Sequence, residues 1–343
     1  MNRYFKGVFG PLLIAEIGGN HEGDFAYAKK LCDLAIASNT DCIKFQVYTG
    51  DGLVSPVESP DRNKHFKKFE FSKDQHIELA KKVHQAGKKY TASVWEENAL
   101  EWIDPYIDFY KIGSGDLTAY ALLEAIAKKK KPIILSTGLS SEIEVMETVA
   151  FLQMQNDIYK SEDNLALLQC TSMYPINYGD ANLDVMKKYK EETGLTVGYS
   201  DHTIDLKALQ YAAAMGAEIL EFHFTDNKEG KTFRDHKVSL TKEEVENLTD
   251  ELEIIRTLKG NDEKRPLSIE IENGHVDSFR RAVYLNKDVA AGYIIKKEDL
   301  VLLRPNHGID AREYKNVIGK KLSKPLKAFE KIDIENLQDN ISN

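Results

Sequence analysis

The sequence predicts a (β/α)8 barrel, the TIM-barrel fold, followed by a small and mainly β domain. Three observations support this prediction: eight short apolar runs recur along residues 1–260, segments with helical spacing separate them, and the pattern changes after Leu258. Eight strands that each lead into a helix within roughly 250 residues are what the barrel requires. A doubly wound sheet is the structural alternative, although it seldom contains so many even units.

The eight predicted strands are short apolar runs that end in polar or turn-forming residues. In chain order they are PLLIAEIG (11–18), DCIKFQVY (41–48), KKYTASVW (88–95), IDFYKIGS (107–114), KPIILSTG (131–138), LALLQCTS (165–172), LTVGYSD (195–201) and AEILEFHF (217–224). Between them, apolar residues recur at intervals of three and four positions, which predicts helices. The predicted helices include DFAYAKKLCDLAIAS, KDQHIELAKKVHQAG, AYALLEAIAKKK, SSEIEVMETVAFLQM, IDLKALQYAAAMG and TKEEVENLTDELEIIRTL.

The chain changes character after the last predicted helix. Residues 1–260 are assigned to the barrel, and residues 261–278 are polar and are predicted to form a linker. From residue 279 to residue 343, short β-type runs are interrupted by Gly292, Pro305 and Gly308. Glycine and proline are typical of turns. We therefore expect a compact second domain of short strands and irregular segments.

The composition excludes several classes of protein. The formal net charge of −9 opposes binding to a nucleic-acid backbone. No apolar run approaches the roughly 18 residues of a membrane span, and the MNRYFKGVFG start lacks the apolar core of a signal peptide. We therefore expect a cytoplasmic protein that binds neither nucleic acid nor membrane. Cys32, Cys42 and Cys170 have no paired spacing and are expected to be buried free thiols.

Polar residues collect at the ends of the predicted strands, where enzymes with this barrel have their active sites. A single residue of this kind can be a helix cap or a satisfied core residue. Eight strands that all end in polar residues are harder to assign to capping and predict a functional site. In chain order, these residues are Glu16, Asn20, His21, Lys44, Gln46, Ser93, Trp95, Lys111, Ser114, Asp116, Ser136, Thr137, Thr171, Ser172, Tyr174, Ser200, Asp201, His202, Glu221 and His223.

Two of these residues are lysines inside apolar strands. Lys44 and Lys111 would be costly to bury without anions that pair with them. Serine hydroxyl groups at the same level of the barrel provide hydrogen-bond donors beside the ammonium groups. Together they predict a site for a small, highly charged anion that carries a phosphate and a carboxylate. The serines are Ser93, Ser114, Ser136, Ser172 and Ser200.

Two histidines leave neighbouring strands, in VGYSDHT (197–203) and ILEFHFT (219–225). Adjacent strands are about 4.8 Å apart, so the imidazoles of His202 and His223 can converge on one ion. Two protein ligands leave positions for water and substrate, as a Lewis-acid metal requires. The alternative, that both are hydrogen-bonded core histidines, remains open from the residues alone.

The segments AEIGGNHEG, IKFQVY, YKIGSGDLT, ILSTG, CTSMYP, GYSDHT and EFHFT resemble those of the sialic acid synthase family. This family includes synthases of N-acetylneuraminic, legionaminic and pseudaminic acids. The segment RRAVYLNKDVAAGYIIKKEDLVLLRPNHGI resembles the antifreeze-like (SAF) domain that follows the barrel in that family. The resemblance therefore spans the chain and is carried by seven ordered motifs and a second domain.

The resemblance implies that phosphoenolpyruvate condenses with an open-chain N-acyl amino sugar of the mannosamine type. Water adds and phosphate leaves by carbon–oxygen cleavage. It implies that phosphoenolpyruvate is held by Lys44, Ser93, Lys111, Ser114, Ser136, Ser172 and Ser200. It also implies that Glu16 and Glu221 steer the water or accept its proton. His202 and His223 would bind a divalent ion, manganese or alternatively magnesium or cobalt.

The resemblance also implies how the sugar is bound. Gln46, Asp116, Tyr174 and Asp235 match positions that contact the sugar. Arg304, in the RPNHG turn of the second domain, would reach the N-acyl group in the barrel of a partner subunit. This arrangement implies a domain-swapped homodimer.

The sequence departs from the family pattern mainly around the sugar. Phe222 stands where the family usually has a lysine beside the second histidine, and Trp95 adds bulk close to the anion site. The loop expected from Thr49 to Glu70 would contact the hydroxyl or acyl substituents of the sugar. These departures affect the identity of the acceptor more than the reaction type.

Two other functions are open from the sequence. A metal-dependent barrel aldolase or isomerase would keep the two histidines but has no need of two lysines and five serines for an anion. A noncatalytic sugar-binding or ice-binding protein would need neither the metal nor the anion site. Release of phosphate from phosphoenolpyruvate separates the synthase from both alternatives.

Overall fold

Eight parallel strands follow one another around a nearly closed barrel in the computed structural model, which describes residues 4–339. Each barrel strand except the third pairs with the next along the chain, and the last pairs with the first. The predicted (β/α)8 barrel is therefore confirmed. After a short strand β1 (Lys6–Gly7), the barrel strands are β2 (Gly10–Glu16), β3 (Cys42–Val47), β4 (Lys89–Val94), β5 (Tyr110–Ile112), β6 (Ile133–Ser136), β7 (Leu165–Cys170), β8 (Thr196–Asp201) and β9 (Ile219–His223).

The seam between β4 and β5 has no regular ladder, but two hydrogen bonds join its edges. The backbone N–H of Asp108 donates to the carbonyl oxygen of Tyr90 at 3.0 Å. The Thr91 hydroxyl donates to the carbonyl oxygen of Phe109 at 2.5 Å. The barrel therefore encloses an interior on all sides.

The helices pack around the barrel, and three of them start with a capping box. Among residues 4–339, no helix is long and apolar enough to cross a membrane. The helices of the barrel unit are α1 (Phe25–Ile36), α2 (Gly50–Leu53), α3 (Pro60–Phe69), α4 (Lys73–Gln85), α5 (Leu100–Ile103), α6 (Tyr120–Ala127), α7 (Glu142–Gln155), α8 (Asp184–Thr193), α9 (Lys207–Ala214) and α10 (Lys242–Lys259).

Residues 49–70 differ from the expected loop, because they contain α2 and α3. Pro60 occupies the first turn of α3, where its missing N–H has no cost. The buried amide of Asn63 donates to the carbonyl oxygens of Gly50 and Val54, at 3.0 and 2.8 Å. One polar side chain thus ties the two helices together over the rim of the barrel.

The interior of the barrel has two layers, which follow from the alternation of side chains along each strand. The lower layer is apolar and includes Leu12, Ile14, Cys42, Phe109, Ile134, Ala166, Leu168 and Ile219. The upper layer lies at the carboxyl ends of the strands and is polar. It includes Glu16, Lys44, Ser93, Lys111, Ser136, Ser200 and Glu221, all of them buried.

A second unit begins at Asn261 and has a hydrophobic core of its own. Its strands are short and joined by irregular segments, as expected. Residues 261–278, expected to be a linker, contain two short helices. The elements of this unit are α11 (Ser268–Glu272), α12 (His275–Ser278), β10 (Ala282–Leu285), β11 (Leu300–Leu303), α13 (Tyr314–Val317), β12 (Lys321–Leu322) and β13 (Leu337–Gln338).

Gly198 allows β8 to pack closely against the lower layer. A Cβ at this position would overlap the carbonyl oxygen of Ile219 and lie 2.7 Å from Leu168 Cδ2. We expect Gly198→Ala to lower the free energy of unfolding by about 1–3 kcal/mol, because the barrel interior must shift. Urea unfolding followed by circular dichroism measures the change.

The matched control is Gly179→Ala, because no described atom lies within 4 Å of a Cβ there. This variant should stay within about 0.5 kcal/mol of the parent protein. Equal stability of the two variants would contradict the close packing at Gly198.

Candidate active site

Four buried charged side chains form a network in the upper layer of the barrel. The Lys44 ammonium group contacts the Glu16 carboxylate and lies 3.7 Å from Glu221 Oε1. The Lys111 ammonium group lies 3.4 Å from the same oxygen and donates a 2.6 Å hydrogen bond to Ser136 Oγ. The four charged side chains are at most 7% exposed. We call Glu16, Lys44, Lys111 and Glu221 the buried charge network.

This network shows how the protein buries two lysines. From the sequence, Lys44 and Lys111 were expected to need anions that pair with them. The carboxylates of Glu16 and Glu221 supply such charges within the protein. The binding of a phosphate and a carboxylate at these lysines stays a prediction. When all four groups are ionised, two positive and two negative charges cancel.

Strand register brings the network together from distant parts of the chain. Glu16 of β2 is paired with Lys44 of β3 on one side and with His223 of β9 on the other. Ser200 of β8 is paired with Glu221 of β9, and its hydroxyl donates to Glu221 Oε1 at 3.1 Å. Paired residues of parallel strands lie at one height, so the side chains meet inside the barrel.

The environment shifts the pKa values of the network in different directions. Burial raises the pKa of Glu16 above its ordinary value, although Lys44 opposes the shift. Burial also acts to raise the pKa of Glu221, but the charges of Lys111 and Lys44 outweigh it and the pKa falls. Burial lowers the pKa of Lys111, whereas the two carboxylates outweigh burial at Lys44 and raise its pKa. The network therefore favours ionised Glu221 beside charged Lys44.

Two polar atoms of the site are buried without a partner. Within residues 4–339, neither Glu221 Oε2 nor His223 Nδ1 has a hydrogen-bond partner. Glu16 Oε2 also lacks a hydrogen bond, but it contacts the Lys44 ammonium group, and Glu16 Oε1 accepts a 2.9 Å hydrogen bond from Gln46 Nε2. Buried polar atoms normally have partners. The two free atoms are therefore positions where a bound group can interact.

The two histidines lie side by side at the ends of β8 and β9. Their ring centroids are 5.4 Å apart. Nδ1 of His202 is 2.7 Å from the carbonyl oxygen of Thr171, and donation to that oxygen would leave Nε2 free. Burial lowers the pKa of both histidines, so the neutral form that binds metals is favoured.

The histidines fit a metal site in which the protein supplies two ligands. Within residues 4–339, no three His, Cys, Asp or Glu side chains are grouped to hold a metal ion. The unpartnered Nδ1 of His223 is compatible with a ligand role. Further ligands would have to come from water or substrate.

The five serines predicted to bind an anion lie on the inner side of strand ends or in the loops that follow. Gly138 allows two of them to approach each other: a Cβ there would lie 2.8 Å from Ser114 Oγ and 3.2 Å from Ser172 Cβ. The backbone N–H of Gly138 donates to Ser114 Oγ at 3.0 Å. Ser93 is buried on β4, in register with Gln46 of β3. Ser136 and Ser200 contact the buried charge network directly.

Four of the five residues predicted to contact a sugar lie at the mouth of the barrel. The ring of Tyr174 lies over His202, with centroids 4.0 Å apart. Asp235 Oδ2 is 3.8 Å from His223 Nδ1. Gln46 binds Glu16 as described above, and Asp116 lies beside Trp95 after β5. Arg304 belongs to the second unit, where its guanidinium group lies 5.2 Å from the centroid of Phe279.

The segment after β9 contributes residues that the sequence analysis did not assign. The guanidinium group of Arg234 lies 4.8 Å from the centroid of Tyr174, and Phe233 packs against Gly19. Asn20 Nδ2 donates to Ser239 Oγ at 2.8 Å, which fixes this segment to the end of β2. In the sequence, only the position of Asn20 directly after a strand indicated that one of these residues belongs to the site.

Phe222 has no direct place in the site. Its side chain is 1% exposed and packs in the outer core between strands and helices, because residue 222 faces away from the barrel interior. The departure at this position therefore does not remove a charge from the interior. His21 is likewise a packing residue, because its ring lies 4.2 Å from that of Phe71 and burial lowers its pKa to about 3.

Comparisons with known proteins agree over nearly the whole chain. The NeuB family model matches residues 31–264, and the SAF domain model matches residues 280–333. The chain is 35% identical to the N,N'-diacetyllegionaminic acid synthase of Legionella pneumophila, over 92% of this chain and 91% of that protein. It is 30% identical to the N-acetylneuraminate-9-phosphate synthase of Homo sapiens, over 98% of this chain and 95% of that protein.

A solved structure gives the same result. The N-acetylneuraminic acid synthetase of Leptospira borgpetersenii superposes with a TM-score of 0.70 at 29% identity, covering 77% of this chain and 90% of that one. The family and the SAF domain predicted from the sequence motifs are thus confirmed. The chain belongs to the NeuB family.

Proposed function

We propose that the protein is a nonulosonic acid synthase that condenses phosphoenolpyruvate with an open-chain N-acyl amino sugar and water, and releases phosphate. The observation that carries this proposal is the buried charge network inside the barrel of a NeuB-family chain. The names of the relatives, which are synthases of legionaminic and neuraminic acids, support the reaction class.

Phosphoenolpyruvate binds in the upper layer of the barrel in this proposal. The carboxylate and the phosphate of phosphoenolpyruvate pair with the ammonium groups of the buried charge network, and serine hydroxyls donate further hydrogen bonds to them. Lys111 already contacts Ser136, so ammonium and hydroxyl donors converge before the substrate arrives. The residues assigned to phosphoenolpyruvate are Lys44, Ser93, Lys111, Ser114, Ser136, Ser172 and Ser200.

Glu221 is the better candidate to accept the proton of the attacking water. Its Oε2 is buried and unpartnered within residues 4–339, whereas Glu16 is held by Gln46 and Lys44. Glu16 then keeps Lys44 oriented toward the substrate. A free carboxylate oxygen beside the reacting carbon is the geometry that general base catalysis needs.

His202 and His223 hold the divalent ion in this proposal, and manganese is preferred over magnesium or cobalt. When bound, such an ion polarises the aldehyde of the sugar and makes its carbon more electrophilic. Tyr174 packs over His202 and keeps its ring in place. Asp235 lies close enough to the pair to orient a bound water or a hydroxyl of the sugar.

The sugar is bound by Gln46, Asp116, Tyr174 and Asp235, and by Arg304 of a second copy of the chain. The working unit in this proposal is a domain-swapped homodimer in the cytoplasm. A guanidinium group suits the carbonyl oxygen of an N-acyl group, because it presents several N–H donors in one plane. The exposed setting of Arg304 beside Phe279 leaves these donors free to reach a ligand.

The direct test is phosphate release from phosphoenolpyruvate with manganese present. We expect release with at least one of N-acetylmannosamine and its 6-deoxy diacetamido relatives, and none when the sugar is omitted. Release without any sugar, or cleavage of a sugar without phosphoenolpyruvate, would contradict the proposal. The second result would favour a metal-dependent aldolase.

A second prediction concerns the histidines. We expect His202→Ala and His223→Ala to keep the fold but to lower manganese affinity by more than the roughly 10- to 100-fold that loss of a supporting residue costs. Titration calorimetry measures the affinity, and circular dichroism reports the fold. His84→Ala is the control, because that ring is on the surface beside Asp108. Unchanged manganese binding in either variant would show that the pair is not the metal site.

A further inference from the structure

Residues 225–239 form a loop between β9 and α10 that carries Asp235 at the barrel mouth. The two ends of the loop meet beside the last strand. The backbone N–H of Thr225 donates to the carbonyl oxygen of Leu240 at 2.9 Å, and the N–H of Leu240 donates to that of His223 at 2.7 Å. Between these ends the loop contains one short 3-10 helix. The place of Asp235 therefore depends on contacts with neighbouring segments.

The carboxylate of Asp235 is not hydrogen-bonded to the barrel. Within residues 4–339, the hydrogen bond that it accepts comes from Nε of its exposed neighbour Arg234, at 3.3 Å. Its Oδ2 lies 3.8 Å from His223 Nδ1, which is too far for a hydrogen bond. The distance between Asp235 and His223 is thus set by the backbone that carries the two residues.

The side chain of Asn20 holds the base of this loop at both ends. Asn20 follows β2 and is fully buried. Its Nδ2 donates to the carbonyl oxygen of Phe224 at 2.9 Å and to Ser239 Oγ at 2.8 Å. Ser239 Oγ in turn donates to the carbonyl oxygen of Asp235 at 2.7 Å. One amide group thus connects the residue after His223 with the backbone of Asp235.

These hydrogen bonds fix which end of the Asn20 amide faces the loop. The carbonyl oxygen of Phe224 can only accept, and the Ser239 hydroxyl already gives its proton to Asp235, so both need a donor. The Nδ2 group supplies it. Within residues 4–339, Asn20 Oδ1 is buried without a hydrogen-bond partner, which costs stability. Stability alone therefore does not explain an asparagine at this position.

His236 ties the same loop to the same turn of the chain. Its ring is fully buried, with Nδ1 2.7 Å from Thr225 Oγ1 and Nε2 3.3 Å from Glu22 Oε1. Glu22 lies two residues after Asn20, in the turn that follows β2. The loop is thus held by this turn at two places, on Ser239 and next to Asp235.

We propose that Asn20 is a positioning residue that sets the place of Asp235 relative to His223. The inference rests on the proposed function, in which Asp235 contacts the amino sugar and His223 binds the divalent ion. Phosphoenolpyruvate is assigned there to the lysines and serines of the upper layer. Loss of the Asn20 amide should therefore weaken the binding of the sugar and leave the binding of phosphoenolpyruvate unchanged.

The kinetic test measures KM for each substrate, with a sugar that supports phosphate release. Asn20→Ala removes both hydrogen bonds, so we expect KM for the sugar to rise about 10-fold. KM for phosphoenolpyruvate should stay within about 2-fold of the parent value. Ser239→Ala removes the link to Asp235 but keeps the bond to Phe224, and should raise KM for the sugar by about 3-fold.

The matched control is Asn39→Ala. Asn39 Nδ2 also donates to a hydroxyl of a distant segment, Thr249 Oγ1, at 2.8 Å. Asn39 precedes β3 and therefore lies at the opposite end of the barrel. This variant should leave both Michaelis constants unchanged.

A double-mutant cycle separates positioning from a merely structural role. In Asp235→Asn the carboxylate is already lost, so adding Asn20→Ala should raise KM for the sugar by less than about 2-fold. Titration calorimetry with the alditol of the sugar, which lacks the aldehyde and cannot react, measures binding without turnover. With phosphoenolpyruvate and manganese present, the alditol affinities of the four proteins should follow the same pattern.

Several outcomes would overturn the inference while leaving the synthase reaction intact. They are an unchanged KM for the sugar in Asn20→Ala, an equal rise of both Michaelis constants, and full additivity in the cycle. If circular dichroism shows that Asn20→Ala does not fold, the same criteria apply to Ser239→Ala. Absence of phosphate release with every sugar in the parent protein would instead refute the proposed function, and the inference with it.

Discussion

The site depends on the pairing of two lysines with two glutamates inside the barrel. A single buried charge would be strongly unfavourable, whereas opposite charges in contact compensate each other. Lys44 sits between Glu16 and Glu221, and Lys111 completes the set with Ser136. Four different strands supply the four charged residues. The register of the barrel and the composition of its upper layer therefore constrain each other. The apolar lower layer lies beneath this polar layer inside the barrel.

The pairing of the two lysines with the two glutamates also affects how an anionic substrate binds. The region around the two lysines is not an open positive pocket, since the lysine charges are already balanced by carboxylates. In the proposed function, binding of phosphoenolpyruvate would exchange these partners and leave a carboxylate free to take up a proton or to hold water. Glu221, with one unpartnered buried oxygen, is suited to that change. In that proposal, the same exchange would couple the binding of the anion to the release of a general base.

Local patterns were enough to predict the barrel, but not the contacts within its mouth. Runs such as LALLQC become strands because they are apolar and bounded by turns, and the positions of Lys44 and Glu221 near strand ends predict that they lie at the mouth of the barrel. Their pairing joins residues far apart in the chain, so no local pattern contains it. The sequence motif did not show on which side of the strand Phe222 lies, since one step along a strand reverses the face. Helices α2 and α3 were missed because their packing through Asn63 is tertiary.

In the proposed function, phosphoenolpyruvate binds inside the barrel on Lys44 and Lys111. A crystal structure of the protein with phosphoenolpyruvate would test this binding mode. We expect both ammonium groups to lie within hydrogen-bonding distance of its carboxylate or phosphate oxygens, with Ser136 beside them. Phosphoenolpyruvate bound outside the barrel, or bound with both lysines still paired only to Glu16 and Glu221, would contradict this binding mode.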